Sequence, residues 1–204
     1  MSSVAAVVYI NLDRREDRRE QMETELQKVV FPNAEIRRFA AIEEKLAGCV
    51  KSHMQVLKLA AAENWENVLV LEDDFKWEPE AIPHIGTRLD TFWRAYHDTF
   101  GFVQLVKPFQ SHVTPVEPGL VRVHAGTNAA GYWVHQRAYA PLIAIWEATW
   151  ELLAATGAHW LYMNDVTWDR IRQEFPCYGF VEPVMGYQAA SWSDLGECMH
   201  PDRK

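Results

Sequence analysis

Three adjacent carboxylates, Glu72-Asp73-Asp74, close the apolar run Val68-Leu69-Val70-Leu71. At the end of a buried strand such groups repel one another and lose hydration unless positive charge compensates them. In an extended chain residues two apart share a face, which sets Glu72 and Asp74 together at about 6.6 Å spacing. A hard divalent cation with oxygen ligands at about 2.1 Å would relieve that repulsion and leave positions open for phosphate oxygens. Bound there, it would act as a Lewis acid toward a departing diphosphate. The triplet also suits a solvated strand end, or a helix N-terminus that favours negative charge.

A second set follows the first apolar run, Val4 to Ile10: Asn11, Leu12, Asp13 and Arg14. Asp13 suits a helix cap, with Glu16 completing a capping box. Arg14, just past the strand, would join its guanidinium to the helix dipole in favour of an anion. Arg15, Arg18 and Arg19 read as a solvated helix face with i,i+4 pairs. His53 lies on the stripe Leu46, Cys49/Val50, His53, Leu57, Ala60/Ala61 and therefore faces inward, as a core histidine or as a ligand. Ser52 beside it serves a ligand or bonds its own backbone. Asn164-Asp165 either caps the next helix or supplies the base that transfer to a hydroxyl requires. Asp194 and His200 would complete a metal shell or belong to an irregular tail. The remaining histidines, His84, His97, His112, His124, His135 and His159, show no metal-ligand spacing.

The elements that must position these groups alternate. The patterns predict a strand over Val4–Ile10, a helix over Arg14–Val29 and a strand over Glu35–Phe39. A helix over Leu46–Glu63, a strand over Val68–Leu71 and a helix from Pro79 to Tyr96 follow. This order is that of an α/β domain with a parallel sheet, where ligands collect at the carboxyl ends of strands. Asn11-Leu12-Asp13 and the acidic triplet both sit at such ends. Later, Phe102–Val106, Leu120–Val123 and Ala129–His135 read as strands. The segment carrying Pro108, Pro115 and Pro118 reads as a loop, and Arg137–Ala155 and Asp165–Phe175 read as helices. The segment from Glu182 to Lys204 has little periodicity, yet carries Gln188 and Trp192.

Bulk properties narrow the class. With 204 residues, 49% of them apolar, the chain can bury one sizeable core. A net charge of -8 argues against a nucleic acid held through its phosphates. An acidic protein still binds an anionic nucleotide when a metal supplies the positive charge. Nine tryptophans lean toward carbohydrate, because exposed indole faces stack on sugars. The three cysteines, Cys49, Cys177 and Cys198, form no CxxC pair and read as reduced structural thiols. The first apolar run lacks a basic leader and is too short to span a bilayer, so a cytoplasmic location is expected.

Taken in order, these segments resemble glycosyltransferase family 25, which includes lipopolysaccharide β-galactosyltransferases and collagen galactosyltransferases. The matching blocks are Tyr9-Ile10-Asn11-Leu12-Asp13-Arg14-Arg15 with Asp17-Arg18, Arg38-Phe39-Ala40-Ala41, Gly48-Cys49 with Ser52-His53, and Asn64 through Asp74. Beyond residue 75 the match continues more thinly, in Gly131-Tyr132-Trp133-Val134 before Arg137, in Asn164-Asp165, and in Gln188 with Ser193-Asp194-Leu195. Met163 stands where that family carries proline, and Gly101-Phe102-Val103-Gln104-Leu105 lacks an opening aspartate. The resemblance implies a GT-A fold in one domain: a Rossmann-like nucleotide half (about 1–106) with a mostly parallel mixed sheet, merged with a smaller acceptor half (about 107–204). It implies inverting transfer of a hexose, galactose being usual, from a UDP-sugar to a glycan hydroxyl, with Mn²⁺ or Mg²⁺. By position, Asn11, Leu12, Asp13 and Arg14 would line the nucleotide pocket with Ser52 and His53 close by. Glu72, Asp73 and Asp74 would hold the metal, Asp74 foremost, and Asp165 would act as base. The glycan acceptor, if lipid-linked, implies only peripheral membrane contact. Two alternatives remain: a sugar-nucleotide or glycan-binding protein without transfer, and a haloacid-dehalogenase-like phosphatase. The latter's Asp-x-Asp motif, followed by Thr or Val, is not met by Glu72-Asp73-Asp74-Phe75-Lys76.

Overall fold

The computed structural model describes residues 3–193 and 198–200, with side chains for residues 3–190. The strands are β1 (Ala6–Asn11), β2 (Glu35–Ala40), β3 (Asn67–Glu72), β4 (Phe75–Trp77), β5 (Phe102–Gln104), β6 (Phe109–Glu117), β7 (Leu120–Thr127), β8 (Gly131–His135), β9 (Cys177–Phe180), β10 (Gly186–Gln188), β11 (Ser191–Ser193) and β12 (Cys198–His200). The helices are α1 (Glu16–Leu26), α2 (Lys45–Ala62), α3 (Ile85–Tyr96), α4 (Tyr139–Thr156), α5 (His159–Tyr162) and α6 (Asn164–Thr167).

Eight strands form one sheet in the order β2-β1-β3-β8-β5-β9-β7-β6. β2, β1, β3, β5, β9 and β6 run one way, and β8 and β7 run the other. The mixed, mostly parallel α/β expectation therefore holds. β1 and β3 are apolar throughout because both their faces are covered. Val7, Tyr9, Leu69, Leu71 and Trp133 enter one core with Met22 and Leu26 of α1 and Leu89 and Phe92 of α3. Ala6, Val8, Ile10, Val68, Val70, Tyr132 and Val134 enter the other with α2 and α4. The period-two alternation thus divides every central strand between two helical layers. The sheet is continuous across residue 106, since β8 lies between β3 and β5.

Several boundaries differ from expectation. α1 starts at Glu16 with Arg15 as its cap residue and no side-chain cap, so Asp13 forms no capping box. Asp13 instead takes an ion pair from Arg38 at 2.6 Å, which removes it from the helix terminus. Between Pro108 and Pro118 the expected loop is instead the strand β6. It is the outermost strand and exposed at every residue, and an edge strand tolerates Pro115 because the missing N–H need not face a neighbour. The helix expected over Asp165–Phe175 is short α6 followed by a 3-10 turn, Trp168–Gln173. α6 includes Asn164 and is preceded by Met163 without side-chain capping, so neither Asn164 nor Asp165 is a cap. The irregular C-terminal segment contributes β10, which pairs antiparallel with β4. No helix among the described residues is long and apolar enough to cross a membrane.

Candidate active site

β1 and β3 are parallel neighbours, with Ile10 opposite Glu72, so their carboxyl ends meet at one edge. The strand β3 ends at Glu72, and Asp73-Asp74 form the turn into β4. That turn breaks the alternation expected for an extended triplet, and each carboxylate meets different partners. Glu72 faces α2, where its Oε1 lies 3.1 Å from His53 Nε2. Asp73 accepts hydrogen bonds from Asn11 Nδ2 at 2.8 Å and Arg18 Nη1 at 2.8 Å. Asp74 accepts from Gln188 Nε2 at 3.1 Å and lies 3.9 Å from Arg18.

Asn11, 1% exposed, ties three elements together. Its Oδ1 accepts from Arg38 Nε at 3.0 Å, and its Nδ2 donates to Arg15 O and Asp73. Arg14 is exposed and pairs with Glu43 at 2.6 Å, while Arg18 reaches the acidic turn. Arg14 precedes α1, which begins at Glu16, whereas Arg18 lies within the helix in phase with buried Met22 and Leu26. Buried Met22 and Leu26 were the signal that would have singled out Arg18. Ser52 is fully satisfied locally: it donates to Gly48 O at 2.6 Å and accepts from Ile42 N at 2.8 Å. It shapes the loop before α2, as the backbone-bonding alternative required.

His53, 1% exposed, is held at both nitrogens, by Glu72 and by the Tyr132 hydroxyl at 2.7 Å from Nδ1. From the far half of the chain, α6 brings Asp165 into electrostatic reach of Glu72 and His53. Asp165 Oδ2 accepts the backbone N–H of Asn128 at 2.9 Å. Asn128 sits at φ 94, a conformation asparagine tolerates better than most residues. Its loop is braced by Gln104, whose Nε2 donates to Thr127 O and Asn128 O, and by Arg172, which donates to Gln104 Oε1 and Gly126 O. Asn128, Gln104 and Arg172 carried no sequence signal, because only the folded chain brings them beneath Asp165. Asp194 and the side chain of His200 lie outside the described residues.

Charge in this cleft is unbalanced. Burial pushes the Asp74 carboxyl up to about 7, with repulsion from Glu72 adding to it and Arg18 opposing it. Burial raises Asp73 despite Arg18 and Asn11, and raises Asp165, with Glu72 adding again. A cation would relieve the repulsion between Glu72 and Asp74, whereas Asp73 is already paired with Arg18. Cys49, His53 and Glu72 also form a group whose ligand atoms lie within 4.8 Å of one another. Of the nine tryptophans, Trp77, Trp133, Trp146 and Trp168 are fully buried core, while Trp160 is largely exposed.

No protein-family profile matches the chain, and no curated protein matches it significantly in sequence. Solved structures do match in fold. A mannose-1-phosphate geranyltransferase from Thermus thermophilus superposes with TM-score 0.53 at 14% identity, over 87% of this chain and 73% of that one. A UDP-glucose pyrophosphorylase in its apo form gives TM-score 0.50 at 11% identity, over 90% and 74%. A protein from STIV gives TM-score 0.50 at 8% identity, over 96% and 93%. At such identities the common property is the fold, a GT-A-like α/β domain.

Proposed function

We propose that the chain is a sugar-nucleotide-dependent glycosyltransferase, moving a hexose from a UDP-sugar to a hydroxyl of a glycan acceptor by inverting displacement. The observation that carries this reading is the acidic turn Glu72-Asp73-Asp74 at the carboxyl end of β3, beside that of β1, with Asp165 from the other half of the chain near enough for its charge to act on Glu72. Carboxyl ends of strands in open α/β sheets are where such ligands bind. Glu72 and Asp74 would hold Mn²⁺ or Mg²⁺, and Asn11 through Arg14 would border the nucleotide. A divalent ion bound there offsets charge on a leaving diphosphate.

Asp165 takes the proton from the acceptor hydroxyl. Its raised affinity for protons makes it a stronger base than a solvated aspartate, and the Asn128 N–H fixes which oxygen faces the acceptor. His53, clamped between Tyr132 and Glu72, orients the Glu72 carboxylate. A nucleotidyl-transfer reading, suggested by the pyrophosphorylase name among the similar structures, is disfavoured by the β1–α1 loop. Leu12-Asp13-Arg14-Arg15 contains no glycine to let backbone amides close on a triphosphate.

The test is donor turnover with a panel of UDP-hexoses and Mn²⁺, reading UDP release with and without glycan acceptors. UDP should form, whereas pyrophosphate should not form from UTP and a hexose 1-phosphate. The Asp165→Asn variant should keep UDP-sugar binding and lose transfer by roughly two to four orders of magnitude. Transfer at the normal rate in that variant removes Asp165 from the mechanism. Donor binding without any UDP release favours the non-transferring alternative, and hydrolysis of simple phosphate esters favours the phosphatase.

A further inference from the structure

Cys49 and His53 stand four residues apart on α2, so they share one face of the helix. Glu72 approaches that face from the end of β3. The cysteine sulfur, an imidazole nitrogen and a carboxylate oxygen lie within 4.8 Å of one another. We propose that these three side chains form a site for a thiophilic divalent cation of the zinc class, distinct in donor chemistry from the carboxylate pair assigned to the sugar-nucleotide metal.

The imidazole is already posed for this. In the metal-free chain Nε2–H donates to Glu72 at 3.1 Å while Nδ1 takes the hydroxyl of fully buried Tyr132 at 2.7 Å. With the proton moved to Nδ1, where Tyr132 accepts it, Nε2 is free to bind a cation placed between it and Glu72. An outer hydrogen bond that fixes the tautomer is the usual companion of a metal-bound histidine. Zn–S and Zn–N bonds of about 2.3 and 2.0 Å place tetrahedral donors about 3.3 to 3.5 Å apart. His53 and Glu72, at 3.1 Å, already stand near that spacing, and the sulfur, within 4.8 Å, has the distance to close. Cys49 is partly exposed as a residue, while burial and the charges of Glu72, Asp165 and Asp74 push its thiol well above the ordinary range.

A second observation points to a ligand at the same place. The Cys49 sulfur lies 3.8 Å from Asn164 Oδ1, and Asn164 is 1% exposed. The Nδ2 of that carboxamide is buried without a hydrogen-bond partner among the described residues. A water or anion in the fourth coordination position would accept from it. Three protein ligands with one exchangeable position is the arrangement of open zinc sites. Sulfur and imidazole donors discriminate against Mg²⁺ and Mn²⁺, and the thiol proton leaves to solvent as the sulfur–metal bond forms. Occupancy would draw Glu72 away from Asp74, a consequence that rests on the donor-site reading; the binding itself does not.

The experiment is a titration of the reduced, metal-free full chain with Co²⁺, followed by absorbance. One equivalent should produce a near-ultraviolet thiolate-to-cobalt charge-transfer band with visible bands of tetrahedral intensity. Equimolar Zn²⁺ should remove them, and a hundredfold excess of Mg²⁺ should not. Cys49→Ser should abolish the charge-transfer band, whereas Cys177→Ala should retain it. A wild-type chain that shows no such band overturns the proposal without recourse to any variant, as does a band that persists in Cys49→Ser. The Mn²⁺-dependent response of the wild-type chain to UDP-sugars is a separate measurement. Its absence beside an intact cobalt band counts against the transferase reading alone.

Discussion

Asp74 carries the clearest conflict between stability and use. Its carboxyl is raised to about 7 by burial and by Glu72, far above its ordinary value of 3.8. Between those values the native chain holds a proton that the unfolded chain has released, so stability falls as pH rises from about 4 to about 7. Asp74→Asn, which cannot ionise, should therefore melt higher than the wild type at pH 8 in a chelator. That advantage should shrink toward pH 4. The same variant should lose Mn²⁺-dependent UDP affinity. A pH-independent difference in melting would show that Asp74 ionises normally. Arg18 makes the complementary case. Its guanidinium has 12% side-chain exposure and pairs with an Asp73 side chain of 10%. Arg18→Met leaves a buried carboxylate unpaired and should cost about 3 kcal/mol in urea unfolding. Removing Arg14, exposed on Glu43, should cost less than about 1 kcal/mol. Equal losses in the two variants would contradict the helical phase described for α1.

At the scale of elements, the acidic turn is held by the β4–β10 pairing. Gly186 lies opposite Trp77, and two residues later Gln188 lies opposite Phe75 and reaches Asp74. A Cβ on Gly186 would stand 2.2 Å from Phe75 Cζ and 2.6 Å from Lys76 O. The backbone oxygen cannot yield as a flexible side chain does, so Gly186→Ala should cost about 1 to 3 kcal/mol in stability. It should also weaken nucleotide binding by displacing Gln188, though it touches no ligand. Calorimetric titration with UDP and Mn²⁺ would check this, and unchanged affinity would show that the β10 contact is dispensable. The first five elements were legible because each depends on local pattern, an apolar run or a helical stripe, while the capping position expected at Asp13 did not form. β6 was not, because its nine residues bury nothing and its Pro115 is explained only by its place at the sheet edge. β4 and β10 are three residues each, too short for periodicity to register.

Over the whole molecule, the two cores on either face of one eight-stranded sheet make the cleft a property of the assembled sheet. Glu72 and Asp165 come from separate halves of the chain, yet each feels the other's charge in the folded unit. A ligand that spans them should stabilise the entire unit. A UDP-sugar with Mn²⁺ at about a hundred times its dissociation constant should add about 2.7 kcal/mol. For a chain of this size that raises the melting temperature by roughly 5 to 10 °C. The nucleotide without metal, or the metal without nucleotide, should give a smaller shift. Differential scanning fluorimetry across a panel of UDP-hexoses reads the donor preference directly, and no shift with any of them would remove the sugar-nucleotide assignment.

The sequence by itself determined the α/β class, the buried central strands and the position of the acidic triplet at a strand end. These follow from the order of apolar runs and helical stripes, which short-range sterics and burial dictate. Which arginine meets the acids, which partner each carboxylate takes, and what orients Asp165 were decided only by tertiary structure. Arg14 stays outside α1 on Glu43 while Arg18, inside it, reaches Asp73, and the turn at Asp73-Asp74 gives the three carboxylates different partners. Neither is encoded within a few residues of the side chains concerned. Contacts between Asp74 and Gln188, or Cys49 and Asn164, join residues more than a hundred positions apart. Their energies depend on how two helical layers close over one sheet.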